Sequence, residues 1–349
     1  MTDPKFLHRS YKRWITIFVF LVVATSPMAY SGSEGRPSAE ANFQRGKTLG
    51  GSGDGKLILL GTAGGPVIQD ARSGPASLLI VNGERYLVDV GYGTVHQLDK
   101  LGLKANDIGH IFLTHLHFDH DADLSALIGF NWSGGDRKPV AVMGPPGTEK
   151  FVASAVAHLK ITEYLYGLLL PPGLTIKGLV TARDVDTQSP KLIYEDENLR
   201  VIAVENSHYS AVPPVGQDYG QPRSYSYRFE TANRVIVFTG DTGPSDAVTE
   251  LARGADILVA EVIDPEAVID SIRKISGASE EALAKVARHQ HKQHLSAEEL
   301  GKMAKRAKVK KVILTHISSS GNIEATAEKV RLSYDGPIAP GSDLLSLDL

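Results

Sequence analysis

From Lys56 onward, short apolar runs alternate with stretches of helical period, and Gly, Asn or Asp marks most of the changes between them. "KLILLGTAGGP" reads as a strand stopped by a glycine-rich turn. "ASLLIVNGERYLVDVG" predicts a hairpin, because Asn82-Gly83 is the dipeptide that best accepts the positive φ of a type I′ turn. A helix over "TVHQLDKLG", a strand at "HIFLTH", a helix at "ADLSALIG", a strand at "PVAVMG" and a longer helix over "TEKFVASAVAHLKITEYLYGLL" follow. The second half repeats the theme. "NLRVIAVENSH" is a strand, "SYSYRFETANRVIVFTGD" a hairpin turning at Ala232-Asn233, and "ADILVAEV" and "KVKKVILTHIS" are further strands. Between them lie helices over "SEEALAKVARHQ" and "SAEELGKMAKRA", the latter with Ser296 and Glu299 spaced as a capping box. Strands in both halves with interleaved helices predict one α/β sandwich with helices outside.

The first thirty or so residues have a different pattern. Lys5, Arg9, Lys12 and Arg13 precede "WITIFVFLVVAT", then Pro27 and small residues, the order of a secretory signal. The apolar run is about a dozen residues, short of the ~20 that span a bilayer as a helix. Ala29-Tyr30-Ser31 has the small-residue alternation for cleavage before Gly32. The expected organisation is therefore a signal at 1–31, a Gly/Ser-rich tether at 32–55 and one folded domain at 56–349. The expected location is periplasmic or secreted, with a membrane tie only through an uncleaved leader.

The chain has 349 residues, a formal net charge of −3 and no cysteine. Near-neutrality speaks against a dedicated nucleic-acid binder. Without cysteine there are no disulfides, thiol nucleophiles or thiolate-held zinc, so any metal is held by nitrogen and oxygen.

"HIFLTHLHFDHDAD" concentrates such donors. A strand ending at His115 and continuing extended puts His115 and His117 on one side, since side chains alternate. Asp119 and His120 then enter a helix as neighbours pointing in different directions, so one pair can serve a first metal and the other a second. Imidazole and carboxylate together suit zinc, and also manganese or iron. Three more candidates follow apolar strands: His208, Asp241 and His316. "HIFLTHL" and "KVILTHI" also echo each other, each ending an apolar run in Leu-Thr-His.

The motif His115-x-His117-x-Asp119-His120, followed by His208, Asp241 and His316, resembles the metallo-β-lactamase superfamily across nearly everything from Lys56 onward. The resemblance implies an αββα four-layer sandwich, two mixed sheets with helices outside and a dinuclear site at one edge. It implies His115, His117 and His208 on one metal, Asp119, His120 and His316 on the other, and Asp241 bridging. "LLGTAGGP", Arg72, Ser77, "DVGYGTVHQL", His294 and Glu261 are similar to the tRNase Z and arylsulfatase branch. Two elements depart from that branch: Ala260-Glu261-Val262-Ile263 stands for His-Glu-Ala-Thr, and Gly91-Tyr92-Gly93-Thr94 for Gly-Glu-Gly-Thr. No glycine- and proline-rich basic arm of the kind that grips tRNA is present in the sequence.

The function so implied is a secreted hydrolase of ester bonds, with two Zn²⁺ (Mn²⁺ or Fe as substitutes) and a metal-bridging hydroxide as nucleophile. Asp119 would ligate and orient that hydroxide, and His294, supported by Glu261, would protonate the leaving oxygen. The expected substrates are small phosphodiesters or sulfate esters, with lactone or β-lactam hydrolysis as the alternative. The partner expected is thus a small-molecule ester and no nucleic acid; a homodimer is left open. A mononuclear iron oxygenase and a non-catalytic metal-binding protein are the other classes. The basic run from Lys302 to Lys311 reads as a solvated helix face and turn, and residues 144–186 as either a flap over the metals or a helix against its own sheet.

Overall fold

The apolar runs pair into two seven-stranded sheets. The computed structural model describes residues 55–349 except 66, 170–172, 174, 211, 213–219, 277–278 and 319–321. The expected leader and nearly all of the expected tether lie outside the described residues. The first sheet contains β1 (Gly55–Gly61), β2 (Ala76–Val81), β3 (Glu84–Val88), β4 (His110–Phe112), β5 (Val140–Gly144) and β6 (Val180–Asp184). The second contains β7 (Lys191–Glu195), β8 (Leu199–Glu205), β9 (Tyr225–Thr231), β10 (Val235–Phe238), β11 (Ile257–Val262), β12 (Val312–Ile317) and β13 (Ile338–Pro340). The last strand, β14 (Ser346–Asp348), returns to the first sheet beside β1. In each sheet an antiparallel meander passes into parallel pairings: β3-β4-β5-β6 in one and β10-β11-β12-β13 in the other.

Strand alternation sorts the core into layers. Leu57, Leu59, Tyr86 and Phe112 face inward against Tyr227, Phe229, Val259 and Ile313 of the second sheet. Ile58, Leu60, Leu78 and Ile111 face outward beneath α1 (Thr94–Lys100), α3 (Leu124–Ser133) and α4 (Thr148–Gly167), with the short α2 (Phe118–Asp121) between α1 and α3. The other outer face packs α6 (Asp246–Leu251), α9 (Ala297–Ala307) and α10 (Ile323–Arg331) on Leu258, Val312 and Leu314. The short α5 (Ile176–Leu179) precedes β6, while α7 (Pro265–Ser276) and α8 (Glu280–Gln293) precede α9. The four layers are helix, sheet, sheet and helix, as the resemblance implied.

Local details mostly follow the pattern. Asn82 and Gly83 both have positive φ, as the type I′ turn requires. Thr231 N–H donates to Arg234 O, which closes the second hairpin around Ala232-Asn233. The capping box of α9 is half formed: Ser296 accepts from Glu299 N–H, while the Glu299 carboxylate accepts from Lys302. The strand expected to reach His115 stops at Phe112, and Leu113 makes the last bond to Met143 O. Residues 144–186 are not simply a flap: Val152, Ala155 and Leu159 seat α4 on the first core, and β6 completes the sheet edge.

Candidate metal centre

Every donor singled out in the sequence arrives at one end of the two sheets. His115 and His117 lie on the connection from β4 to α2; Asp119 and His120 open that helix. His208 follows β8, Asp241 follows β10, Glu261 lies in β11 and His316 in β12. His316 needs a backbone irregularity to get there. The β11–β12 register runs Glu261↔Thr315 and then Val262↔Ile317, so His316 is the extra residue of a bulge. Its φ of 47° is in the left-handed region that non-glycine residues avoid. Bulges re-aim side chains in this way beside functional sites.

The donor atoms form three overlapping groups, each with all atoms within 4.8 Å: His115, His117, His208 and Asp241; Asp119, His120 and His316; and Asp241, Glu261, His294 and His316. His117 Nδ1 lies 3.0 Å from His115 Nε2 and 3.2 Å from His208 Nε2. His120 Nε2 is 3.7 Å from Asp119 Oδ2 and 3.3 Å from Asp241 Oδ1. His316 Nε2 is 3.7 Å from Asp119 Oδ2 and 3.3 Å from Asp241 Oδ2. Donors around a tetrahedral ion with bonds of about 2.1 Å stand roughly 3.4 Å apart, so these spacings suit zinc.

Buried atoms without hydrogen-bond partners make the same point. His120 Nε2 and Asp241 Oδ1 are both buried and, although they face each other at 3.3 Å, neither has a well-directed hydrogen bond among the described residues. Such atoms are costly to leave unsatisfied, and a cation between them removes the cost. A cavity of about 30 Å³ is lined by Asp89, Thr114, His120, Asp241, Glu261 and His316. The donor set therefore fits divalent metal. Burial alone would raise the Asp241 carboxyl, but the surrounding His316 and His120 hold it well below the usual carboxylate range.

The orientation of the rings comes from residues that no spacing rule selected. Asp89 Oδ2 accepts from His120 Nδ1–H at 2.9 Å, which leaves Nε2 for the centre. Asp89 Oδ1 accepts from Thr114 N–H at 2.7 Å, tying β3 to the ligand loop. His208 Nδ1–H donates to Gln293 O at 2.9 Å, again freeing Nε2. These partners fix tautomer and ring orientation as outer partners of metal sites do. Asp89 has a φ of 60°, an unusual conformation directly after a strand. "DVG" at a strand end was the available signal. Tyr209 lies tilted against His208 at 5.0 Å between ring centroids and packs edge-on to His115 and His117, closing that side.

His294 belongs to this constellation. Its Nδ1 is 2.7 Å from Glu261 Oε2, and it lines a cleft of about 650 Å³ together with Asp264, Ser296, Glu299 and Lys329. The Glu261 Oε1 accepts from Thr242 N–H. Of its neighbours, His291 is exposed beside Glu266, whereas His289 packs edge-on to His294 at 5.3 Å.

Residues 84–317 match the model of the beta-lactamase superfamily domain. The ribonuclease Z of Mycobacterium sp. (strain KMS) is 30% identical over 290 residues, spanning 82% of this chain and 87% of that protein. Human tRNase Z, short form, superposes with a TM-score of 0.58 at 21% identity, covering 84% of this chain and 98% of that one. Zn²⁺-bound PqqB from Methylobacterium extorquens does so with a TM-score of 0.55 at 14% identity, covering 84% and 100%. The ribonuclease Z relative overturns one expectation: a small-molecule ester and no nucleic-acid partner conflicts with a homologue that is a ribonuclease. The physical reason is that a net charge of −3 is a sum over the whole chain and does not report which polymer a local site accepts. The chain is a metal-dependent hydrolase of the metallo-β-lactamase superfamily, in its tRNase Z branch.

Proposed function

We propose that this hydrolase cleaves phosphodiester bonds in RNA with two divalent ions, zinc foremost. His115, His117 and His208 would hold one, Asp119, His120 and His316 the other, and Asp241 would be shared. The observation that carries the reading is Asp241, whose carboxylate oxygens lie 3.3–4.0 Å from a ring nitrogen of each of His115, His120, His208 and His316. RNA as the substrate class rests on the ribonuclease Z relatives. When bound, such a pair of ions supplies a water of lowered pKa and neutralises charge on phosphoryl oxygens.

The chain's own residues supply the rest. Asp89 and the Gln293 carbonyl keep His120 and His208 in the tautomers that present Nε2. Asp119 orients the attacking water from the wall formed with His316. His294 keeps one proton on Nδ1 toward Glu261 and offers the other, on Nε2, to the leaving oxygen from the cleft side. With residues 1–31 read as an export signal, the proposed enzyme meets its RNA outside the cytoplasm.

The test is a panel on purified, zinc-loaded protein: a 3′-extended RNA hairpin, an aryl phosphodiester, an aryl sulfate, a lactone and a β-lactam. The expected result is chelator-sensitive cleavage of the RNA and the phosphodiester. Turnover confined to the sulfate, lactone or β-lactam would overturn it.

A further inference from the structure

A cluster far from the candidate ligands in sequence holds one wall of the site. Asp343 lies on the short connection from β13 in the second sheet to β14 in the first. Its carboxylate accepts four hydrogen bonds. Oδ1 takes Thr62 N–H at 3.0 Å and Thr62 Oγ1–H at 2.8 Å. Oδ2 takes Ser73 N–H at 2.7 Å and Gln97 Nε2–H at 2.7 Å. Arg72 braces the same point, donating to Thr62 Oγ1 at 2.6 Å and to Gly341 O at 3.0 Å.

The segment so held, Thr62–Gly65, lies against the centre. Thr62 O accepts from Ile317 N–H and Gly64 N–H donates to Ile317 O, both at 2.8 Å, which pins the residue next to His316. A Cβ on Gly64 would stand 2.7 Å from His316 O, and one on Gly65 would stand 1.8 Å from Asp119 Oδ2. Only glycine permits that approach, so the segment is a wall shaped to Asp119 and His316. Asp343 touches none of the candidate ligands, yet the segment it fixes touches two of the three on one side of the centre.

We infer that Asp343 is a positioning residue for the Asp119–His120–His316 half of the centre, acting through Thr62–Gly65, so that its loss weakens one metal equivalent and spares the other. This rests on the dinuclear reading above. Among the described residues, His115, His117 and His208 stand on other connections, and their rings bond to one another, to Thr114 and to Gln293 O rather than to the segment. A carboxylate accepting four bonds is specific to the residue: asparagine would keep an acceptor for Thr62 but turn an amide N–H toward Ser73 N–H or Gln97.

The experiment is a titration of metal-free full-length protein with Co²⁺, followed by visible absorption, alongside competition with a zinc chelator and a thermal melt of each metal-free variant. Wild type should bind two equivalents. Asp343→Ala should hold one equivalent at wild-type affinity and the second up to about 10-fold more weakly, the low end of the cost of removing a group bonded directly to a ligand, because Asp343 acts one step further out. Asp343→Asn should fall between the two, and it serves as the folded variant should alanine prove unstable. Two equivalents at wild-type affinity in the variants would overturn the role of Asp343, and so would parallel weakening of both equivalents together with a lowered melting temperature. Wild type binding fewer than two equivalents would instead sink the dinuclear reading, and the positioning role with it.

Discussion

His294 Nδ1 sits 2.7 Å from Glu261 Oε2 inside a wall that excludes most water, and this pair sets the charge of the imidazole facing the cleft. Burial by itself would lower the histidine, but the Glu261 carboxylate overrides it and raises His294 to about 9. The N-terminus of α9, two residues on, opposes a cation there. The carboxylate wins because it is in direct hydrogen-bond contact. In the metal-free centre the ring therefore carries both protons at neutral pH.

An acid in that state matters in proportion to how basic the leaving oxygen is. His294→Ala is expected to cost little with a nitrophenolate leaving group and roughly 10²–10⁴-fold with an alkoxide such as a ribose oxygen. The sign with pH follows from protonation. The acid is present below its pKa, so alkoxide-leaving turnover should fall as pH rises past it, and bound cations, by neutralising Asp241, place that fall below the metal-free value of about 9. Glu261→Gln removes the group that raises the pKa, so the alkaline fall should move to lower pH with a smaller loss at the optimum. His96→Ala, exposed on α1 away from the cleft, is the control expected to leave rates unchanged; His291 lines the cleft and His289 packs on His294, so neither suits that purpose. Equal losses for both leaving groups would remove the general-acid role.

Much of the fold was legible because it depends on neighbours in sequence. Asn82-Gly83 sets its turn through its own backbone preferences, and the two Leu-Thr-His segments follow apolar runs that end on the same side of the sheets, although the first strand itself stops at Phe112. The illegible parts depend on distant partners or on a single irregular residue. Asp343 lies 281 positions from Thr62 and has no local pattern to mark it. Asp89 is one aspartate after a strand, ordinary until His120 is seen donating to it. The bulge that re-aims His316 is invisible because an uninterrupted strand has the same apolar run. The substrate was misread for a different reason: net charge averages over surfaces that the substrate never touches.

The expected export signal gives a prediction about processing. The basic head and apolar run before Pro27 lead to an expected mature N-terminus at Gly32, with the protein in the periplasm or medium. N-terminal sequencing of the native protein is the check. An intact chain in the soluble cytoplasmic fraction would refute it.

A buried histidine away from the centre sets an acid limit on stability. His110 stacks on Tyr86 at 5.3 Å between centroids, its Nε2–H donating to Tyr194 Oη at 3.2 Å, between the two sheets. Burial lowers it to about 4 despite the attraction of Asp196. A histidine that is less basic folded than unfolded binds fewer protons in the native state. Stability is therefore intact above the unfolded value near 6.5 and is lost as pH falls toward 4, by about 3 kcal/mol in all. Urea melts of metal-free protein between those limits should show that loss, and His110→Phe should reduce it, leaving the share of His115 and His208, which burial also lowers. An unchanged slope in the variant would assign the acid sensitivity elsewhere.

The last prediction concerns Asp241, where the two halves of the centre meet. Its oxygens are 3.8 Å from His115 and 4.0 Å from His208 on one side, and 3.3 Å from both His120 and His316 on the other. A carboxylate placed between two sets of imidazoles serves both, so its loss should be felt by both metals, unlike the loss of Asp343. Wild type is expected to carry close to two zinc equivalents by elemental analysis. Asp241→Ala should retain fewer than two and lose more than about 100-fold in RNA cleavage, at least the cost of an outer partner. The metal-free variant should nevertheless fold, because the apolar cores of the sheets do not include Asp241, but it should be less stable, since His120 and His316 lose the carboxylate that compensates them. Asp241→Asn keeps the shape but not the charge and should bind weakly for that reason. One tightly bound iron in wild type, with no second site, would end the dinuclear reading. Full metal content in Asp241→Ala would show that the carboxylate is not shared.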